Sequence, residues 1–249
     1  MLAVLSLAFA LGCTGDASAP SPRPSAPADL EAAPAPVLIP PSLARPTPPP
    51  PLEGDAELVR VADPWHPLPA GYVPPDLATL PASLGAPGYG TFELRREAAE
   101  GLRGLLDAAR PASHDLRVVS AYRSYDTQVA IFERRTASVG EVCAARGSAR
   151  PGHREHQLGT TVDLSSAVVE WRLTQRFGDT EAGRWLAERA HEHGWALSYP
   201  AGKEDVTGYI YEPWHARYLG VTYAPRWRAS GLTVTEYLQS SGGPGGAVP

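Results

Sequence analysis

Thirteen of the 27 prolines in this 249-residue chain fall between Pro20 and Pro51, interleaved with Ala and Ser and only a few charges. Each proline fixes φ and removes a backbone donor, so neither a helix nor a strand ladder can run through such a stretch. Its few apolar side chains cannot bury enough surface to offset the cost of ordering it. Residues 14–54 therefore read as a Pro/Ala-rich disordered linker, and folding is confined to roughly Asp55–Gln239, which carries all six tryptophans and is long enough for one core. The Gly- and Ser-rich run from Ser240 to Pro249 reads as a disordered tail.

Ahead of the linker, Leu2–Gly12 is an uncharged, mostly apolar run ending at Cys13. It is too short for a permanent membrane span and suits the core of a signal peptide. Ala10-Leu-Gly-Cys13 resembles the lipobox of bacterial lipoproteins, which implies lipid on Cys13 and a membrane anchor for residues 1–13. Ala10 stands where the lipobox usually has Leu, and no Lys or Arg precedes the run. A start further upstream, cleavage elsewhere with secretion, and an uncleaved anchor stay open. With Cys13 assigned to lipid, Cys143 has no partner and reads as a small buried hydrophobe. The net charge of −5 and the absence of any Lys/Arg run give no electrostatic basis for binding nucleic acid.

Within the domain, Leu94, Ala98, Leu102, Leu105 and Leu106 recur at helical spacing between Phe92 and Ala109, predicting an amphipathic helix that ends before Pro111. Leu116–Tyr122 predicts a strand, and Asp126–Arg135 a helix capped by Ser124. Thr136–Gly152 reads as a long, partly helical connection. Thr160–Leu164 predicts a short strand and Thr180–His193 a helix stopped at Gly194. Trp195–Tyr199 and Tyr209–Tyr211 predict a hairpin around residues 202–205, and Leu232–Leu238 a closing helix. Helices around a small, mainly antiparallel sheet make an α+β domain.

Two segments carry the chemistry. Pro151–Asp163 and Glu212-Pro-Trp-His215 supply His156, Asp163 and His215, two imidazoles and a carboxylate of the kind that holds zinc in a hydrolase and leaves a position for water. The same set suits iron or manganese. Glu212 is the spare carboxylate that such a site needs to take a proton from the attacking water. His156 and Asp163 lie seven apart, on opposite faces of a regular strand, and Gly159 offers the bend that could unite them. His153 reads as a loop residue beside the site, with a His153/His156 metal pair as the other reading. His191 and His193 read as a solvated helix end, because residues two apart on a helix diverge.

Ser120-Ala-Tyr-Arg-Ser-Tyr125 followed by Gln128, the Pro151–Asp163 segment, and Glu212-Pro-Trp-His215 followed by Arg217-Tyr-Leu-Gly220 resemble, in order, three motifs of the VanY-type D-alanyl-D-alanine carboxypeptidases, bacterial zinc peptidases. Leu68–Pro75 is similar to the segment that opens their domain. The resemblance implies His156, Asp163 and His215 as zinc ligands and Glu212 as the group that activates water and protonates the leaving amine. It implies Arg123 facing the substrate as oxyanion or carboxylate partner and Gln128 lining the same pocket. Tyr122 and Trp214 would form its walls, with a core position the other reading for each. Arg154 stands where the family has the Ser that helps bind the substrate's terminal carboxylate, and Thr161 where Ala is common. Arg154 is expected either to fork that carboxylate itself or to turn to solvent while Thr160 or Thr161 takes over.

The implied activity is removal of D-alanine from peptidoglycan stem peptides in the cell envelope. An L,D-carboxypeptidase, a D,D-dipeptidase, an endopeptidase and a non-catalytic wall-binding lipoprotein are the alternatives.

Overall fold

The computed structural model describes residues 58–112 and 114–241; the leader with its lipobox, the linker, and the tail beyond Ser241 lie outside the described residues. Strands β1 (Leu77–Thr79) and β2 (Glu93–Arg95) pair antiparallel, Leu77 opposite Arg95. β2 takes the start of the stretch predicted as helix, and α1 begins only at Arg96 and runs to Ala109. The reason is tertiary: the Arg95 N–H donates to the Gly159 carbonyl at 2.7 Å and its side chain pairs with Asp76 at 2.7 Å, which holds 93–95 extended against their helical spacing. From there on the expected face is the buried one, through Ala98, Leu102, Leu105 and Leu106.

β3 (Arg117–Ser120) leads into α2 (Tyr125–Val139), where the Ser124 hydroxyl caps the helix by accepting from the Thr127 N–H at 3.2 Å. α3 (Glu141–Gly147) is the helical part of the long connection. Cys143 on α3 is half-buried and disulfide-bonded, which corrects its reading as an unpartnered buried thiol; α3 lies at the surface, with the neighbouring Val142 exposed. There follow β4 (Thr161–Ser165), α4 (Glu181–Arg189) capped by Thr180, and a 3-10 turn over Ala190–His193 that Gly194 closes at φ 85°. β5 (Trp195–Leu197), α5 (Glu204–Thr207), β6 (His215–Tyr218), α6 (Tyr223–Ser230) and α7 (Val234–Ser240) complete the domain. α7 reaches Ser240, and the buried Ser241 donates its hydroxyl to the Tyr237 carbonyl at 2.6 Å, so the first two residues of the expected tail belong to the fold.

The main sheet is antiparallel, ordered β3-β4-β6-β5. This corrects the predicted 195–199/209–211 hairpin, since β5 pairs with β6 instead. The returning chain meets Tyr199 through a backbone bond from the Glu212 N–H to its carbonyl, 3.0 Å, and through the Tyr209 ring, 4.9 Å between centroids, without forming a ladder. Pro213 then has no N–H to give, and regular pairing starts only at His215.

The sheet has two unlike faces because side chains alternate along each strand. Val118, Val162, Leu164, Trp195, Ala216 and Tyr218 join α1, α4 and α6 in the main apolar core. Thr161, Asp163, His215 and Arg217 point the other way, yet all of them are buried. Beneath that polar face lie the Glu155–Leu158 turn and the segment from Leu58. Among the described residues no helix is long and apolar enough to cross a membrane.

Candidate active site

Register assembles the site. Asp163 sits opposite His215 across β4/β6 and opposite Ser120 across β3/β4, so one row of the sheet carries two of the expected ligands side by side. His156 lies off the strands, in the 3-10 turn Glu155–Leu158. Gly159 ends that turn in the left-handed region at φ 70°, and a Cβ there would press on Leu77, Pro74 and Arg95 at 3.0–3.1 Å. The bend turns His156 back over β4 toward Asp163.

The ligand atoms of His156, Asp163 and His215 all lie within 4.8 Å of one another, and all three residues are buried. The His156 Nδ1 donates to the Ala121 carbonyl at 2.6 Å, which leaves the lone pair on Nε2. That nitrogen is buried without a hydrogen-bond partner, 3.1 Å from Asp163 Oδ2. Burial holds the imidazole neutral, its pKa pushed down to about 4 against the raising effect of Asp163. His215 is bonded through Nε2 to Glu155 Oε2 at 2.9 Å. A carboxylate can only accept, so Nε2 carries a hydrogen, while Nδ1 lies 3.2 Å from Asp163 Oδ1 and 3.5 Å from Glu212 Oε2. Burial works against charge on this ring, yet its hydrogen bonds to Asp163 and Glu155 raise its pKa, and a cation bound among these oxygens would take the place of a hydrogen on Nδ1. Two imidazole nitrogens and the oxygens of a buried carboxylate converging on one spot suit a cation. Neutral nitrogen and carboxylate oxygen donors suit zinc, which His156 Nε2, Asp163 and His215 Nδ1 would hold.

Around this centre lie three arginine–carboxylate pairs. Arg123 Nη2 is 4.0 Å from Asp163 Oδ2. Its guanidinium is fixed by Gln128 Oε1 at 2.8 Å and Ser120 Oγ at 2.9 Å. Gln128 also donates to the Ser148 and Ala149 carbonyls at 3.2 and 2.8 Å, so it orients Arg123 and has no amide hydrogen left for a ligand. The second pair is Arg154 with Glu212, and Arg154 is not turned to solvent. It is 6% exposed, and its Nη2 lies between both oxygens of Glu212, at 3.0 and 2.8 Å. Tyr199 and Tyr209 flank its guanidinium at 5.8 and 5.6 Å, while its Nε and Nη1 are buried without partners. Burial works against this charge, yet Glu212 beside it raises its pKa above the ordinary arginine value. The hydroxyls of Thr160 and Thr161 are also buried and unbonded.

The third pair, Glu155 with Arg217, was not anticipated. Glu155 accepts from Ser198 Oγ at 2.6 Å, His215 Nε2 at 2.9 Å and Arg217 Nη1 at 3.2 Å. These contacts overcome burial and hold its carboxyl at about 2. Its signal in the sequence was position alone: Glu155 adjoins a ligand, and Arg217 is two residues beyond another on an alternating strand.

Trp214 belongs to the main apolar core, which corrects the expectation of a pocket wall: it backs the ligands from behind the sheet. Tyr122 is half-exposed, its N–H donating to the Glu93 carbonyl at 2.9 Å. The His153 ring is bonded to the Asp63 carbonyl at 3.0 Å, a loop contact, and neither it nor His191 or His193 joins a metal-competent cluster among the described residues.

A family profile described as D-alanyl-D-alanine carboxypeptidase, VanY, matches residues 91–221, just over half of the chain. The Bacillus subtilis protein YodJ is 35% identical over 195 residues, covering 76% of this chain and 69% of its own length. Among solved structures, the LD-carboxypeptidase LdcB superposes with a TM-score of 0.69 at 36% identity, over 75% of this chain and 88% of LdcB. A mutant of the vancomycin-resistance D,D-pentapeptidase VanY from a VanB-type cassette, solved with Zn(II), gives 0.62 at 29% identity, over 73% and 99%. These matches and the site's geometry agree: the chain is a carboxypeptidase-type enzyme of the VanY family.

Proposed function

We propose that this protein is a zinc-dependent carboxypeptidase that releases the terminal D-alanine from peptidoglycan stem peptides. The observation that carries the reading is the convergence of His156 Nε2, Asp163 and His215 Nδ1 on one point, with Glu212 at its edge. Zinc, when bound there, supplies a Lewis acid that polarises the scissile carbonyl and makes a water acidic near neutral pH. Glu212 accepts that water's proton and returns it to the departing D-alanine amine. Arg123, already oriented by Gln128 and Ser120, meets the oxygen on which negative charge develops. Arg154, with two guanidinium nitrogens still unpaired, takes the free C-terminal carboxylate in place of the family serine. Tyr122 lies along the substrate's path.

The test is Glu212→Gln, which keeps the side chain's shape. We expect full zinc content and a loss of kcat on a pentapeptide stem of at least about a hundredfold; retained turnover would refute the assignment. A second reading, cleavage before the D-alanine of a tetrapeptide stem, is favoured by the higher identity to LdcB than to VanY. Digestion of defined tetra- and pentapeptide stems with mass analysis of the products separates the two.

The anchoring scheme belongs to the same reading. Lipid on Cys13 and a linker reaching on the order of 100 Å at about 3.1 Å per residue would carry the domain from a membrane to the wall. The chain has two cysteines, so a thioether on Cys13 and an internal disulfide from Cys143 exclude each other. The intact mass of membrane-extracted protein distinguishes them.

A further inference from the structure

Glu155 does more than fill space beside a ligand. It is 4% exposed, and its two oxygens are engaged by Ser198, His215 and Arg217, which leaves it no part as a second catalytic base. Alternation along β6 puts Arg217 on the same side as His215, so the guanidinium lies under the ligand ring. Arg217 is fully buried, and its Nη2 donates onward to the Leu58 and Arg60 carbonyls at 2.7 and 3.0 Å. A continuous line of hydrogen bonds thus runs from the backbone of residues 58–60 through Arg217 and Glu155 to His215. Those residues precede the family-matched stretch, which begins at residue 91.

An imidazole can ligate through either nitrogen, and the partner of the other nitrogen decides which. With Glu155 holding the hydrogen on Nε2, only Nδ1 of His215 faces Asp163 and Glu212. We propose that Glu155 is a positioning residue that fixes His215 in its metal-ready tautomer, and that Arg217 builds residues 58–60 into the support of the metal centre. The inference rests on the zinc reading above and concerns how tightly the ion is held, apart from which bond is cut.

The experiment measures zinc affinity of the full chain by competition with a chromogenic chelator, for wild type, Glu155→Gln and Arg217→Lys, with far-UV circular dichroism of the zinc-free proteins as the control of fold. With its oxygen toward His215 and Ser198, glutamine turns its amide against the Nη1 donor of Arg217; flipped, it turns that amide against His215 itself. We expect its affinity to fall by about ten- to a hundredfold. Arg217→Lys keeps the charge but cannot span Glu155 and both carbonyls, and a smaller fall is expected. Nitrogen NMR of zinc-loaded wild type gives a reading independent of any variant: His215 should be protonated at Nε2 and ligated at Nδ1. Wild-type affinity in Glu155→Gln, or ligation through Nε2, would overturn the proposal, and wild-type affinity in Arg217→Lys would remove residues 58–60 from it. A wild-type chain that binds no zinc would instead sink the zinc reading itself.

Discussion

At the scale of single residues the contact that most sets this site apart is Arg154 with Glu212, at 2.8 and 3.0 Å and both buried. A buried pair gains little over a well-packed apolar substitute, but removing one partner leaves the other charge stranded. Arg154→Ala should therefore destabilise the zinc-free fold by about 3 kcal/mol through an unpaired Glu212. Adding Glu212→Gln to Arg154→Ala should restore much of that loss, because the stranded charge is gone. Denaturant unfolding of the two singles and the double measures it, and strictly additive effects would show that the pair is not coupled. On substrate, Arg154→Ala should raise KM for a free-acid peptide by about tenfold or more, the worth of a charge-assisted hydrogen bond. An unchanged KM would leave recognition of the carboxylate to Arg123.

At the scale of elements, the site depends on a turn and a register. Gly159→Ala places a Cβ against Leu77, Pro74 and Arg95 at a φ of 70°. Strain and collision together should cost about 2 kcal/mol and displace His156, lowering zinc affinity along with stability; a variant with wild-type melting and metal binding would show that the bend is not required. The meeting of His156, Asp163 and His215 with Glu212 beside them, and the elements α1, α2 and β4, were legible in the sequence because each is written in local spacing or in a motif. The unexpected parts depend on contacts distant in sequence. β2 is extended because Arg95 is tied to Gly159 and Asp76, and β5 pairs with β6 because Pro213 delays the ladder. Glu155 and Arg217 stand inside the motif segments, with nothing in the spacing that assigns either a role. What joins them is the face they share once β6 lies beside β4 and the Glu155–Leu158 turn folds back. Neither event leaves a periodic trace.

At the scale of the whole molecule, the sheet divides the work between its faces. The apolar face, with Leu102, Leu105, Leu164, Phe177, Leu186 and Trp195 fully buried beneath the helices, is a core of its own. The opposite face buries three carboxylates, two arginines and two imidazoles, with Arg123 half-buried beside them, and its charges are paired except where His156 Nε2 and His215 Nδ1 face Asp163. Removing the metal should therefore loosen one face and leave the other intact: the chelated protein keeps its secondary structure but melts earlier. An ion present at about a thousandfold over its dissociation constant adds about 4 kcal/mol to the native state. For a domain of this size that corresponds to a Tm roughly 10 °C higher with zinc than with chelator. Thermal melts monitored by circular dichroism across a zinc titration read both parts of this expectation. A Tm indifferent to zinc would mean that the polar face is held by its ion pairs alone. Loss of secondary structure on chelation at room temperature would mean that the apolar face cannot stand without the metal.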